Sequence, residues 1–159
     1  GVSGAGKKAD AQLLFVECNE SVRPYGVPKH RHLSEIEQEL SIAAGSKVAI
    51  SFTPHLVPTN AGICSTIYAA AECGADEIGS ALETAYGASP FVRLLGEGGC
   101  PDTKNVTGTT FIDIGWVKDD RTGRIVLMSA EDNLGKGAGS QALQSFNLMT
   151  DREETAGLL

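Results

Sequence analysis

Positive charge is scarce in this chain: 13 Lys and Arg stand against 20 Asp and Glu over 159 residues, giving a formal net charge of −7 and a pI near 4.9. A protein that grips a phosphate backbone needs a basic stripe to displace counterions, so nucleic acid is excluded as the expected partner. Also missing is any apolar run close to the roughly 20 residues that a membrane-spanning helix needs. The first residues lack the basic-then-apolar order of a secretory signal. A soluble, cytoplasmic protein is the expectation. Cys18, Cys64, Cys73 and Cys100 never form C-x-x-C, so neither a metal site nor a redox pair is written locally. Reduced thiols are the simplest reading, and two disulfides are the alternative. There is no internal repeat and no low-complexity linker. With 42% hydrophobic residues the chain can bury a core, and one domain over residues 1–159 is expected.

Gly1-Val-Ser-Gly-Ala-Gly6 is too rich in glycine for regular structure and reads as a turn or ligand-facing loop. Leu13 to Cys18 is a short strand or an irregular packed stretch, and Pro24, Gly26 and Pro28 break any element after it. Ser34-Glu35-Ile36-Glu37 has the form of a capping box, which opens a helix that Gly45 ends. Its buried stripe would be Ile36, Leu40 and Ala43 or Ala44. Strands are expected at Lys47–Phe52, Ile63–Ala71 and Phe91–Leu95. Asp76 is placed to cap a helix carrying Ile78, Ala81, Leu82, Ala85 and Tyr86, with Gly87 as its stop. Thr109–Lys118 and Arg124–Ala130 form the clearest hairpin, turning at Asp119, Asp120 and Gly123. A last helix over about 137–149 sets Ala138, Ala142, Leu143, Phe146 and Met149 on one side, and a polar, exposed or frayed tail follows. Together these predict an α+β fold with a mostly antiparallel sheet covered by helices.

Three segments carry possible chemistry. Lys29-His30-Arg31-His32 stands just ahead of the first helix, whose start favours an anion and a neutral imidazole. A neutral histidine there can act as a base near neutral pH, and the arginine fork suits a carboxylate or phosphate. The same tetrapeptide also fits a solvated basic patch. Gly1 to Lys7 has the G-x-x-x-x-G-K form of a P-loop, but Lys8 stands where a Ser or Thr hydroxyl would bind magnesium and no strand precedes it. Asp132-Asn133-Leu134-Gly135-Lys136-Gly137 occupies a strand-to-helix corner, where ligands are often met and where a polar residue can equally just close a turn.

Read in order, Gly1-Val-Ser-Gly-Ala-Gly-Lys7, His30-Arg-His-Leu-Ser-Glu-Ile-Glu-Gln38, Ser51-Phe-Thr-Pro-His-Leu-Val-Pro58, Asp102-Thr-Lys-Asn-Val106 and Asp132-Asn-Leu-Gly-Lys-Gly137 resemble the N-acetyl-gamma-glutamyl-phosphate reductases of arginine biosynthesis. The resemblance covers nearly the whole chain. It implies the second, catalytic and dimerisation domain of reductases in the fold group of glyceraldehyde-3-phosphate and aspartate-semialdehyde dehydrogenases. In that family a cysteine attacks the acyl phosphate and hydride from NADPH reduces the thioester to a semialdehyde. By motif match His30 is implied to be the acid/base histidine, with Arg31 and His32 on the anionic substrate and Glu35 as an orienting carboxylate. Ser3 and Gly4 are implied to lie by the substrate. Gly4, Ala5, Gly6 and Asn133 are implied to lie by the NADP cofactor, which a Rossmann half would mainly hold.

Gly135 departs from the larger apolar residue more common at its place. The Pro-Gly-Cys-Tyr-Pro signature of the nucleophile and the Gly-rich pyrophosphate turn are absent, and none of the four cysteines matches the nucleophile. The expectation is therefore a chain separated from its nucleotide-binding half and inert alone, a homodimer or homotetramer acting on a small acyl phosphate or semialdehyde. Ala138, Ala142 and Phe146, meant for the missing half, would then cover a patch in a dimer or leave the last helix loose. The competing readings are a dimerisation and substrate-positioning module without chemistry, and a phosphotransferase using the Gly1 loop.

Overall fold

A computed structural model describes residues 1–7 and 9–159. Lys8, where a P-loop would need its hydroxyl, lies outside the described residues. The chain forms two compact units, one made of Val2 and residues 4–59 and the other of Gly1, Ser3 and residues 60–159.

In the smaller unit Asp10 accepts a hydrogen bond from the Gln12 N–H at 3.0 Å and starts a tight turn over Ala11–Leu13. That turn leads into a short helix, α1 (Phe15–Cys18), in place of the expected strand or irregular stretch. β1 (Arg23–Pro24) pairs antiparallel with β2 (His55–Leu56). Between them runs α2 (Leu33–Ala44), which ends at Gly45 in the left-handed conformation, as the sequence implied. Its start differs. His32 holds the cap position with no side-chain bond, and the Ser34–Glu37 box does not form. Glu37 instead accepts from the Ile50 N–H at 3.0 Å, and the Ser41 hydroxyl accepts from the Val48 N–H at 2.9 Å. Those bonds explain why 47–52 is not a strand: two of its amides are satisfied by α2 side chains and leave no ladder to build. No residue of α2 is fully buried within this unit, and Leu40 and Ile42 are exposed.

The larger unit is built on a four-stranded sheet in the order β3 (Ile63–Ala70), β6 (Arg124–Glu131), β5 (Ile112–Asp119), β4 (Val92–Glu97). β5 and β6 form the expected hairpin, β3 pairs antiparallel with β6, and only β4 runs parallel to its neighbour. The α+β class with a mostly antiparallel sheet is thus observed. α3 (Ala75–Tyr86) packs Ile78 on Trp116 and Ile125, with Ala71, Cys73, Leu82 and Leu127 around them. Burying each such side chain contributes about 1.5–3 kcal/mol. Gly79 leaves room for the close approach: a Cβ there would lie 3.2 Å from the Trp116 ring, tighter than most real contacts. α3 opens on Gly74, whose N–H donates to Glu77 at 2.8 Å, and not on Asp76, which sits inside the first turn.

After β6 a wide turn over Gly135–Gly139 leads into α4 (Ser140–Met149). The residues that α4 buries are polar: Gln144 donates to Glu154 at 2.6 Å, and Asn147 donates to the carbonyls of Glu154 and Ala156 at 3.2 and 3.0 Å. The tail, expected to be exposed or frayed, is mostly exposed yet fastened by these bonds, and Thr110 adds a bond to the Leu158 carbonyl at 3.3 Å. Ala138, Ala142, Leu143, Phe146 and Met149 lie outward. The last helix presents an apolar exterior.

Candidate functional site

His30 is wedged among rings. Tyr25, Phe52 and His32 meet it edge-on, with centroids at 5.3, 5.5 and 4.9 Å. Gly26, in the left-handed region at φ +63°, passes so close that a Cβ would lie 2.6 Å from Cδ2 of His30. The His32 N–H donates to Nδ1 of His30 at 3.2 Å. Desolvation lowers the His30 pKa below the ordinary imidazole value, and the charges of His32 and Arg31 push the same way. Arg31 and His32 are exposed beside it, and Glu35 is exposed in the first turn of α2 with no hydrogen bond or ion pair to His30. Gly4, Ala5 and Gly6 are exposed in the same unit, Gly4 and Ala5 within a tight turn over Val2–Ala5.

The second cluster is the corner after β6. Buried Asp132 accepts from the Gly108 N–H at 2.6 Å with one oxygen and from the Leu134 and Gly135 N–H groups at 2.7 and 3.0 Å with the other. These bonds, the one from Gly108 foremost, hold its pKa below the usual carboxylate value. Asn133 accepts from the Gly62 N–H at 2.7 Å through Oδ1, and its Nδ2 donates to the Ser3 hydroxyl at 3.0 Å. Of the residues picked from the sequence, Ser3 and Asn133 are therefore brought together. One Nδ2 hydrogen of Asn133 has no acceptor among the described residues and fits a further carbonyl oxygen. Beside them burial lowers the pKa of Lys136, against the opposing charges of Glu131 and Glu154, and burial raises that of Glu131. Lys136 donates to Gln141 and Gln144 at 2.7 and 2.5 Å.

Tyr25, Gly26, Phe52 and Gly62 belong to these corners and were not picked from the sequence. The left-handed glycines and the spacing of the rings leave no local pattern that a single sequence displays. All four cysteines are unpaired, and no group of His, Cys, Asp and Glu among the described residues could hold a metal ion.

The sequence profile of the semialdehyde dehydrogenase dimerisation domain matches residues 1–133. The chain belongs to this family. The N-acetyl-gamma-glutamyl-phosphate reductase of Akkermansia muciniphila is 66% identical over 160 residues, covering 99% of this chain and 46% of that protein. The reductase of the same name from Acetivibrio thermocellus is 49% identical over the same shares. The chain thus spans about half the length of the curated relatives it matches. Among solved structures, an aspartate semialdehyde dehydrogenase II from Vibrio cholerae superposes with a TM-score of 0.72 at 18% identity, over 94% of this chain and 52% of that one. An aspartate semialdehyde dehydrogenase from Francisella tularensis gives 0.64 at 16% identity, over 90% and 44%. These likenesses establish the semialdehyde dehydrogenase fold.

Proposed function

We propose that this chain is the catalytic and dimerisation domain of an NADP-dependent N-acetyl-gamma-glutamyl-phosphate reductase, which converts the acyl phosphate to N-acetylglutamate semialdehyde and releases phosphate. The observation that carries this reading is the 66% identity to the Akkermansia muciniphila reductase over 99% of the chain. His30 serves the reacting carbonyl, Arg31 and His32 hold the anionic substrate, Glu35 orients them, and Ser3 and Gly4 line the substrate side. Gly4, Ala5, Gly6 and Asn133 face the cofactor, which supplies hydride when bound. The remaining Nδ2 hydrogen of Asn133 fits the carboxamide oxygen of a nicotinamide.

We also infer a homo-oligomer, a dimer or tetramer, working in the cytoplasm. Tyr68 is 66% exposed and Ile67 52% on the edge strand β3, and they suit a contact with a second copy. The outward Leu143, Phe146 and Met149 of α4 suit the nucleotide-binding half. No helix among the described residues is long and apolar enough to cross a membrane.

The experiment is phosphate-dependent reduction of NADP by N-acetylglutamate semialdehyde, run on this chain and on the full-length gene product. Activity in the full-length protein that His30→Ala abolishes supports the reading. Inactivity of the full-length protein overturns the substrate, and activity in this chain alone overturns its dependence on a cysteine outside it.

A further inference from the structure

We propose that Asp132 is a positioning residue: it holds the turn over residues 103–108 against Gly62, and through that turn fixes the Asn133 amide in the orientation that leaves one hydrogen for the cofactor. The cofactor's part rests on the reductase reading above; the positioning does not.

Asp132 directly follows β6 and Gly62 directly precedes β3, where Ile63 and Glu131 are paired. Asp132 and Asn133 are neighbours whose side chains reach different partners. The Asn133 oxygen takes the Gly62 N–H at 2.7 Å, while one oxygen of Asp132 takes the Gly108 N–H at 2.6 Å and the other takes those of Leu134 and Gly135. Residues 103–108 connect the two grips. The Thr107 N–H and hydroxyl both donate to the Thr103 carbonyl, at 2.9 and 2.7 Å, so this segment is a closed turn. Thr103 stands so near Gly62 that a Cβ on the glycine would lie 3.1 Å from its side chain. The contacts therefore close a ring, from Asp132 to Gly108, along the turn to Thr103, across to Gly62, and through Asn133 back to Asp132. Slack at Gly108 is passed on to Gly62.

The two side chains suit their ends of this ring. A carboxylate only accepts, so Asp132 meets three N–H groups without a donor to misplace. Asn133 must do both. Its oxygen faces the Gly62 N–H, so its nitrogen faces the Ser3 hydroxyl and keeps one hydrogen. A half-turn of the amide would set N–H against N–H at Gly62 and turn the oxygen to where it would repel a carbonyl. The aim of the amide thus depends on where Gly62 sits, and Gly62 rests on the turn that Asp132 holds.

The test uses the full-length protein, with folding verified by melting curves. Amide hydrogen exchange without cofactor reads the ring: in Asp132→Asn the Gly62 and Gly108 N–H groups should both exchange faster than in the parent. Faster exchange at Gly108 alone overturns the positioning, whatever the enzyme does. Thr103→Ala trims the ring at its other end and leaves the carboxylate alone, which keeps the test open where Asp132→Asn fails to fold. Gly62 should again exchange faster, and an unchanged rate overturns the ring. Equilibrium binding then reads the aim, with NADP compared against 2′-phospho-ADP-ribose, which lacks the nicotinamide. Losing one hydrogen bond weakens binding about 3- to 10-fold, so Asp132→Asn and Asn133→Ala should each lose that for NADP and nothing for the analogue. The double variant should bind NADP no more weakly than Asn133→Ala, since an absent amide cannot be misaimed. Equal losses for both ligands, losses that multiply in the double variant, or a loss in Asn133→Ala alone overturn the action of Asp132 through Asn133. Unchanged NADP affinity in Asn133→Ala, with Gly62 exchange as expected, overturns the cofactor reading at Asn133 and leaves the positioning standing.

Discussion

Gly26 and His30 fit together only because one of them lacks a side chain: a Cβ on Gly26 would stand 2.6 Å from Cδ2 of the imidazole, well inside any real contact. The backbone at Gly26 is also left-handed, a conformation that costs an L-residue about 1–2 kcal/mol. Gly26→Ala therefore combines backbone strain with a displaced ring. Urea denaturation should show a loss of about 1–3 kcal/mol, and the His30 ring protons should shift as the edge-on contacts with Tyr25 and Phe52 change. An unchanged His30 spectrum would mean that the corner is softer than its geometry implies.

Asp132 resists protonation in the fold, and acid should weaken the fold through it. Its carboxylate collects three backbone N–H bonds and its pKa is depressed, so the folded state holds this proton more weakly than the unfolded chain does. The stabilisation is fully present above the ordinary carboxylate value and is lost as the pH falls through the depressed folded value. Asp132→Asn turns an amide hydrogen toward donors it cannot satisfy and should cost about 1–3 kcal/mol at pH 7. Below pH 4 or so the difference from the parent should shrink. A penalty that stays constant down to pH 2 would show that charge plays no part.

The hairpin, the helix over α3 and the stop at Gly45 were readable because each rests on local chemistry: alternation, an i, i+3, i+4 stripe, a glycine where the chain must turn left-handed. Lys47–Phe52 failed because its amides bond to Glu37 and Ser41, contacts that sequence spacing does not announce. α4 shows a different limit. Its apolar residues were expected on one side, meant for a nucleotide-binding half, and they lie outward; what their spacing did not announce is that Gln144 and Asn147 face inward, because the tail supplies the partners that make polar burial tolerable. The His30 tetrapeptide could be found by motif. The rings and the glycine that hold it come from 4 to 22 residues away in sequence, so neither could be picked out beforehand.

That fastening can be measured. Asn147→Ala removes the donor shared by the Glu154 and Ala156 carbonyls and should destabilise the unit by about 1–3 kcal/mol. Limited proteolysis should then cut the segment after Met149 at far lower protease concentration than in the parent. Phe146→Ser, on the exposed outer side of the same helix, should leave both the stability and the cleavage pattern of this chain within error. If Phe146→Ser frees the tail as well, the inward and outward faces have been assigned wrongly.

Asn133 is the residue on which cofactor and loop roles compete. Its Oδ1 satisfies the buried Gly62 N–H, and one Nδ2 hydrogen holds the Ser3 hydroxyl. Ser3→Ala removes a single part-buried bond, worth about 0.5–1.5 kcal/mol, while Asn133→Ala also orphans Gly62 and should cost about 1–3 kcal/mol more. Because the Ser3 bond is already gone in Asn133→Ala, the double variant should be no less stable than Asn133→Ala alone. Full additivity would deny the contact. Kinetics of the full-length protein then separate the roles. Ser3→Ala and Asn133→Ala should both raise the substrate KM if the clasp matters for substrate, and only Asn133→Ala should raise the KM for NADP if its spare hydrogen reaches the nicotinamide.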